Sequence, residues 1–219
     1  VKSKPGNFKT ILLNNIKKSK FKIDSELEFD ENLKLTDKSI FSGDVKETSA
    51  NFNDKYFIKD MGFDFFYRNE SLNLNQLKGK LEDLEIYGGR INYKKNKGDH
   101  VIQGEIKSRI NSSGEKSKKL FSLAGIEVNN FLNTSIIGSA SGSFDLRLGR
   151  TLLAKKINIM IQSSLSSLKI DLKEKINNQF LKKNIEKIHA KDSNISFQYD
   201  DKKTDISLST WIKIDEEFF

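Results

Sequence analysis

Apolar side chains recur at every second position along most of this chain, and no other regularity in it reaches as far. FKIDSELEF sets Phe21, Ile23, Leu27 and Phe29 on one side of a strand and Lys22, Asp24, Glu26 and Glu28 on the other. MGFDFFYR repeats the pattern with Met61, Phe63, Phe65 and Tyr67, and LNLNQL, LEDLEIY and RINYKK follow. In HVIQGEIKSRI, Ile102, Gly104, Ile106, Ser108 and Ile110 share a face. Further on come SGSFDLRL (Phe144, Leu146, Leu148), KINIMIQ (Ile157, Ile159, Ile161), ISFQY (Ile195, Phe197, Tyr199) and DISLSTWIKI (Ile206, Leu208, Ile212, Ile214). Such alternation specifies antiparallel sheet with one dry face and one wet face. Turn-forming residues separate the runs: Asn69-Glu70-Ser71, Tyr87-Gly88-Gly89, Lys97-Gly98-Asp99 and Asp200-Asp201.

Two segments depart from the pattern. Ser112–Gly125 opens on serines, carries Leu120, Phe121 and Ala124, and closes on a glycine, which predicts a short helix. KEKINNQFLKKNIEKI spaces Ile176, Phe180, Leu181, Ile185 and Ile188 as a second helix would, or as a loop followed by a strand from about Lys183. Sixteen phenylalanines and a single proline, Pro5, belong to a folded chain rather than a disordered linker.

Strands at this spacing ordinarily make a sandwich or barrel. Here the dry faces are narrow and the pattern is monotonous, which fits one long curved antiparallel sheet. About a dozen strands at ~4.8 Å each would run roughly 60 Å. An apolar concave face with no opposing layer needs an apolar occupant, and an acyl chain would serve. The alternative is a structural or adhesive module whose faces close into an ordinary sandwich core.

Catalytic chemistry is hard to find. The chain has no cysteine, which removes disulfides, thiolate metal sites and a cysteine nucleophile. His100 and His189 stand alone, without the spacing of a zinc site, and His100 reads as an exposed turn histidine. GSASGS (Gly138–Ser143) lacks the G-x-S-x-G order of a nucleophile elbow and reads as a strand whose small residues admit a close neighbour. Gly88-Gly89 is followed by no phosphate-loop pattern. Carboxylates such as Asp24 and Glu26 fall on a wet strand face. No enzyme, metal or cofactor is expected. Phe63, Phe65, Phe66 and Tyr67 could stack bases, but their phase with the aliphatics assigns them to a core or groove.

The net charge is +8. Lys2, Lys4, Lys9, Lys17, Lys18 and Lys20 cluster without an acid, and Lys173, Lys175, Lys182, Lys183, Lys187 and Lys191 form a second group diluted by Glu174 and Glu186. These lysines read as a solvated surface, with anionic lipid headgroups as another partner for them and no nucleic acid expected. A basic nucleic-acid binder would need both groups on one surface. Val1–Lys20 is basic without the apolar stretch of a signal peptide, and no apolar run approaches the length of a spanning helix. Starting at Val1, the chain reads as a piece of something longer, one segment with no internal boundary.

The order of segments carries a resemblance. LEDLEIYGGRINYKK is followed by HVIQGEIKSRI, the helix SKKLFSLAGIEV, SIIGSASGSFDLRLG and KINIMIQSSLSSLKIDL. This series, over roughly residues 72 to 199, is similar to the AsmA-like superfamily and to its YhdP-like members in particular. Gly138, Ala140, Phe144 and Leu146 match one family element; Ser164, Leu165, Leu168, Ile170, Asp171 and Leu172 match the next. The family's Pro-rich stretch and lysine are replaced here by KEKINNQFLKK, with Lys182 or Lys183 nearest the lysine. The resemblance implies a repeating β-groove that crosses the periplasm and is anchored in the inner membrane by a segment outside this chain. It implies passive movement of phospholipid toward the outer membrane, acyl chains in the trough and headgroups in water. The residues expected to line that groove are Phe63, Phe65, Leu84, Ile86, Ile106, Ile159, Ile161, Phe197 and Ile206.

Overall fold

A computed structural model describes residues 16–52, 56–123, 126–151, 153–178, 183–215 and 217–218. The protein is mainly β and antiparallel: β1 (Ile16–Glu26), β2 (Ile40–Phe52), β3 (Tyr56–Arg68), β4 (Ser71–Leu81), β5 (Leu84–Asn96) and β6 (Asp99–Ser113) precede one short helix, α1 (Gly114–Leu123). After it come β7 (Phe131–Leu148), β8 (Ala154–Asn178), β9 (Lys183–Tyr199), β10 (Thr204–Ile214) and the two-residue β11 (Glu217–Phe218). The eleven strands of the described residues belong to one open sheet whose order is the order of the chain. The chain packs as two units, Val1–Leu81 with Ile86–Ile106 and Leu146–Lys155, and Glu82–Glu85 with Lys107–Asp145 and Lys156–Phe219.

Tight turns make this order possible. Asn69 and Glu70 both have positive φ (50° and 56°), as do Lys97 and Gly98 (48° and 87°), the two-residue geometry that matches strand twist. The Asp200 carboxylate accepts the amides of Lys202 and Lys203 and holds the β9–β10 turn. The sequence pattern needs correction at one turn. Tyr87-Gly88-Gly89 is not a turn but lies inside β5, while the turn falls at Glu82-Asp83, within LEDLEIY. Gly89 serves close approach: a Cβ there would stand 2.5 Å from the carbonyl oxygen of Glu105. Of the two readings of KEKINNQFLKKNIEKI, the strand from about Lys183 holds: Lys173–Asn178 completes β8 and β9 begins at Lys183, with residues 179–182 outside the described part. The lysines and glutamates of this segment suit a wet strand face as well as a helix. Leu27 and Phe29 fall beyond the end of β1, where Phe29 bridges Leu35 in the loop to β2.

Simple alternation does not survive along whole strands. Val45 pairs with Phe63 and Thr48 with Met61; since Phe63 and Met61 share a face, so must Val45 and Thr48, three residues apart. The same logic puts Met61 with Ile58, and Leu74 with Leu81, through the pairs Thr48–Met61, Ala50–Ile58, Phe65–Leu74 and Ile58–Leu81. Each shift needs a bulge, and Glu47, Asp60 and Gln76 stand there with φ of 49°, 53° or between. In the second unit, Ser163–Ile195–Leu208 and Leu168–Ala190–Ile212 are cross-strand rows, so β8 and β9 each carry one extra residue between them. On β9 it is Asp192, with φ 49°. The bulges of neighbouring strands lie side by side, and the apolar residues therefore stay on one face while their spacing changes phase.

Buried apolar side chains are few among the described residues: Leu165, Leu172, Ile185 and Ala190, all in the second unit. Gly138 opposite Leu165 confirms the small-residue reading of GSASGS, because a Cβ there would sit 2.5 Å from the Ser164 oxygen and 2.7 Å from Leu165 Cδ2. Gly138→Ala is expected to destabilise by about 1–3 kcal/mol in urea unfolding. At the bulge, Asp192→Gly removes left-handed strain and stabilises by up to about 1 kcal/mol, whereas Asp192→Val costs about 1–2 kcal/mol; opposite shifts of the urea midpoint are the check.

Candidate functional site: the uncovered apolar face

Pairing register assembles the apolar positions into rows that cross several strands. In the first unit, Phe21–Val45–Phe63, Ile23–Gly43–Phe65–Leu74 and Ser25–Phe41–Tyr67–Leu72 are successive rows. Gly43 leaves the gap between Ile23 and Phe65, where a Cβ would meet the Lys22 carbonyl. In the second unit the rows are Ile159–Tyr199–Thr204, Ile161–Phe197–Ile206 and Ser163–Ile195–Leu208. Beyond the bulges follow Leu168–Ala190–Ile212 and Ile170–Ile188–Ile214.

The helix closes one end of this face in the second unit. Ser117, fully buried, donates to the Gly114 carbonyl at 2.7 Å and contacts the Thr134 hydroxyl, and Thr134 shares the inward side of β7 with Gly138. Phe121 meets Phe131 edge to face at 5.7 Å. The Asp83 carboxylate, in the β4–β5 turn, accepts from Ser112 Oγ and Lys116 Nζ, both at 3.0 Å, tying that turn to the helix. Away from the helix the same face is open: Ile161 is 38% exposed, Leu208 60% and Ile206 70%. Apolar side chains lined up at directly paired positions and left in water are costly, at ~25 cal/mol per Å² of apolar surface.

The nine residues expected to line a groove divide between the units. Phe63, Phe65, Ile86 and Ile106 belong to the first, where Phe63 and Phe65 occupy adjacent rows. Leu84, Ile159, Ile161, Phe197 and Ile206 belong to the second, where Ile161, Phe197 and Ile206 form one row and Ile159 stands in the next. Leu84, Ile86 and Ile106 are half-buried on β5 and β6. Alternation alone misses Leu168, Ile170 and Ile188, which reach the same face only through the bulges. The signal was in the spacing, since SSLSSL sets Leu165 and Leu168 three apart inside a strand.

Polar groups on the described residues do not gather for catalysis. His100 is half-buried rather than exposed, stacked on Tyr93 at 5.9 Å with its Nδ1 2.9 Å from the Tyr93 hydroxyl. No group of three metal-ligating side chains occurs among the described residues. No described helix is long and apolar enough to cross a membrane.

Burial pushes the Asp83 carboxyl up, but the hydrogen bonds from Lys116 and Ser112 outweigh it and hold it below the usual carboxylate value. A lowered value contributes stability in full above the unfolded pKa and loses it as pH falls through the folded one. Asp83→Asn should therefore be less stable than the natural chain at pH 7, and the gap should close below pH ~4, as read by urea midpoints across pH.

Compared with protein-family models, with curated proteins and with solved structures, the chain matches none of them.

Proposed function

We propose that this chain is a groove segment of a lipid-transport protein of the AsmA-like kind, in which acyl chains lie against the apolar face of the sheet. One observation carries the reading: the row Ile161–Phe197–Ile206 is apolar on three adjacent strands and remains open to solvent. A closed sandwich would need a second sheet to bury such rows, and the described strands belong to a single one. An acyl chain fits the requirement because it is apolar along its length and asks for no directed hydrogen bond. Serine and threonine at Ser163, Ser193 and Thr210 do not oppose this, since Ser193 Oγ and Thr210 Oγ1 satisfy each other at 2.5 Å.

In this reading the work is passive. Phe63 and Phe65 in one unit and Ile159, Ile161, Phe197 and Ile206 in the other hold the hydrocarbon, with Leu84, Ile86 and Ile106 on the strands between them in sequence. Headgroups stay in water. The resemblance supplies the setting, a periplasmic path between inner and outer membranes anchored by sequence outside this chain, along which phospholipid moves in outer-membrane biogenesis.

The test uses residues that are already exposed, so that folding is not at stake. Purified from a diderm bacterium, the natural chain should carry phospholipid detectable by native mass spectrometry and solvent extraction. Ile161→Asp with Ile206→Asp should reduce the bound lipid at least tenfold at unchanged circular dichroism. Equal lipid in the double variant, or none in the natural chain, would remove the proposal.

A further inference from the structure

The face opposite the apolar rows carries a feature that acyl-chain binding does not use. On the second unit, Lys169, His189 and Lys213 are directly paired across β8, β9 and β10, and Ser167, Lys191 and Trp211 form the next row. His189 thus has a lysine on each neighbouring strand and Lys191 two residues along its own. Its Nε2 lies 3.4 Å from Ser167 Oγ. Burial and then Lys169, Lys191 and Lys213 lower its pKa, which marks a local excess of positive charge. The acids nearby are engaged: Asp171 accepts from Asn133, and the Asp215 carboxylate accepts the amides of Glu186 and Lys187. Glu186 bonds Lys175 at 2.6 Å. Asp192 is next to Lys191 at the bulge. Lys169 and Lys191 have no ion pair among the described residues.

Apolar groups flank these cations. Trp211 is 67% exposed, and Ile137, which neighbours the inward Gly138 and so points outward, is 44% exposed. The Ile137 carbonyl accepts from Ser166 Oγ, which places it beside the bulge of β8. Lysines between an exposed tryptophan and an exposed isoleucine match a bilayer surface, where phosphates take the cations and the apolar groups settle at the headgroup boundary. Single-stranded nucleic acid asks for a track of successive stacking aromatics, and this patch has a lone tryptophan, Trp211, instead.

We infer that the outward face of β8–β10 around Lys169, His189, Lys191 and Trp211 docks on a bilayer surface carrying anionic headgroups. The inference stands apart from the acyl-chain reading because it uses the other side of the sheet.

Sedimentation with vesicles tests it. The natural chain should bind vesicles of phosphatidylcholine mixed with phosphatidylglycerol, bind phosphatidylcholine alone far less, and release as salt rises. Each lysine near the surface contributes roughly fivefold, so Lys169→Ala with Lys191→Ala should weaken binding about 25-fold. Trp211→Ala should weaken it too, whereas Lys94→Ala on β5 should leave it unchanged. The inference is overturned if the double variant binds as well as the natural chain, if neutral vesicles bind equally, or if a single-stranded oligonucleotide displaces the protein from the vesicles. The variant carrying Ile161→Asp and Ile206→Asp should keep vesicle binding while losing extracted lipid, so the two readings fail separately.

Discussion

Backbone pairing between strands that follow one another in the chain carries the weight that a buried core carries in most proteins. Consecutive strands hydrogen-bond to each other throughout the sheet, and only four apolar side chains among the described residues are buried. Hydrophobic burial is therefore shallow and spread over many half-covered residues. The ladders must hold register almost unaided, and a one-residue slip would move every apolar side chain to the wet face. Glycines at Gly43, Gly89 and Gly138 matter for that reason: each sits where a side chain would strike a neighbouring strand and break the ladder locally.

The bulges are the second half of the same constraint. Glu47, Asp60, Gln76 and Asp192 adopt a backbone conformation that costs a non-glycine residue about 1–2 kcal/mol. Cost of that kind persists only where the surrounding pairing over-determines it. Here neighbouring strands bulge together, so the register on either side remains intact and the apolar face is handed across the interruption. Polar residues suit the positions because each bulge turns two successive side chains outward, such as Lys46 with Glu47 and Lys191 with Asp192. The wet face gains charge where the dry face changes phase, and Glu47 takes Lys20 at 2.8 Å and Lys18 at 3.6 Å.

Much of this fold is legible in the chain because period-2 alternation and positive-φ turn residues are local signals. Phe63 with Phe65, and Ile206 with Leu208, fall on one face as alternation dictates. What failed or stayed open were features decided by neighbours. Glu82-Asp83 and Gly88-Gly89 exchange roles because Gly89 answers to Glu105 on the next strand, which no local pattern encodes. Lys173–Ile188 fits a helix or a strand by spacing alone, and the pairing of Ile176 with Ile185 across the β8–β9 ladder decides for the strand. The candidate face was readable residue by residue, whereas its rows were not. That Ile161, Phe197 and Ile206 are neighbours follows from register, and register depends on bulges whose only trace is an apolar spacing of three.

A sheet ordered as its chain is ordered also has a simple grammar of growth. Adding or deleting one hairpin disturbs no crossover and leaves every other pairing as it was, in the manner of repeat proteins whose units touch only their neighbours. Each such event changes the width of the sheet by about 10 Å, two strand spacings. Span then becomes a quantity that duplication can adjust in fixed steps, independent of the chemistry of either face. The bulges constrain the step: a new hairpin must bring its own extra residue at the same height, or the apolar face ends where it was inserted.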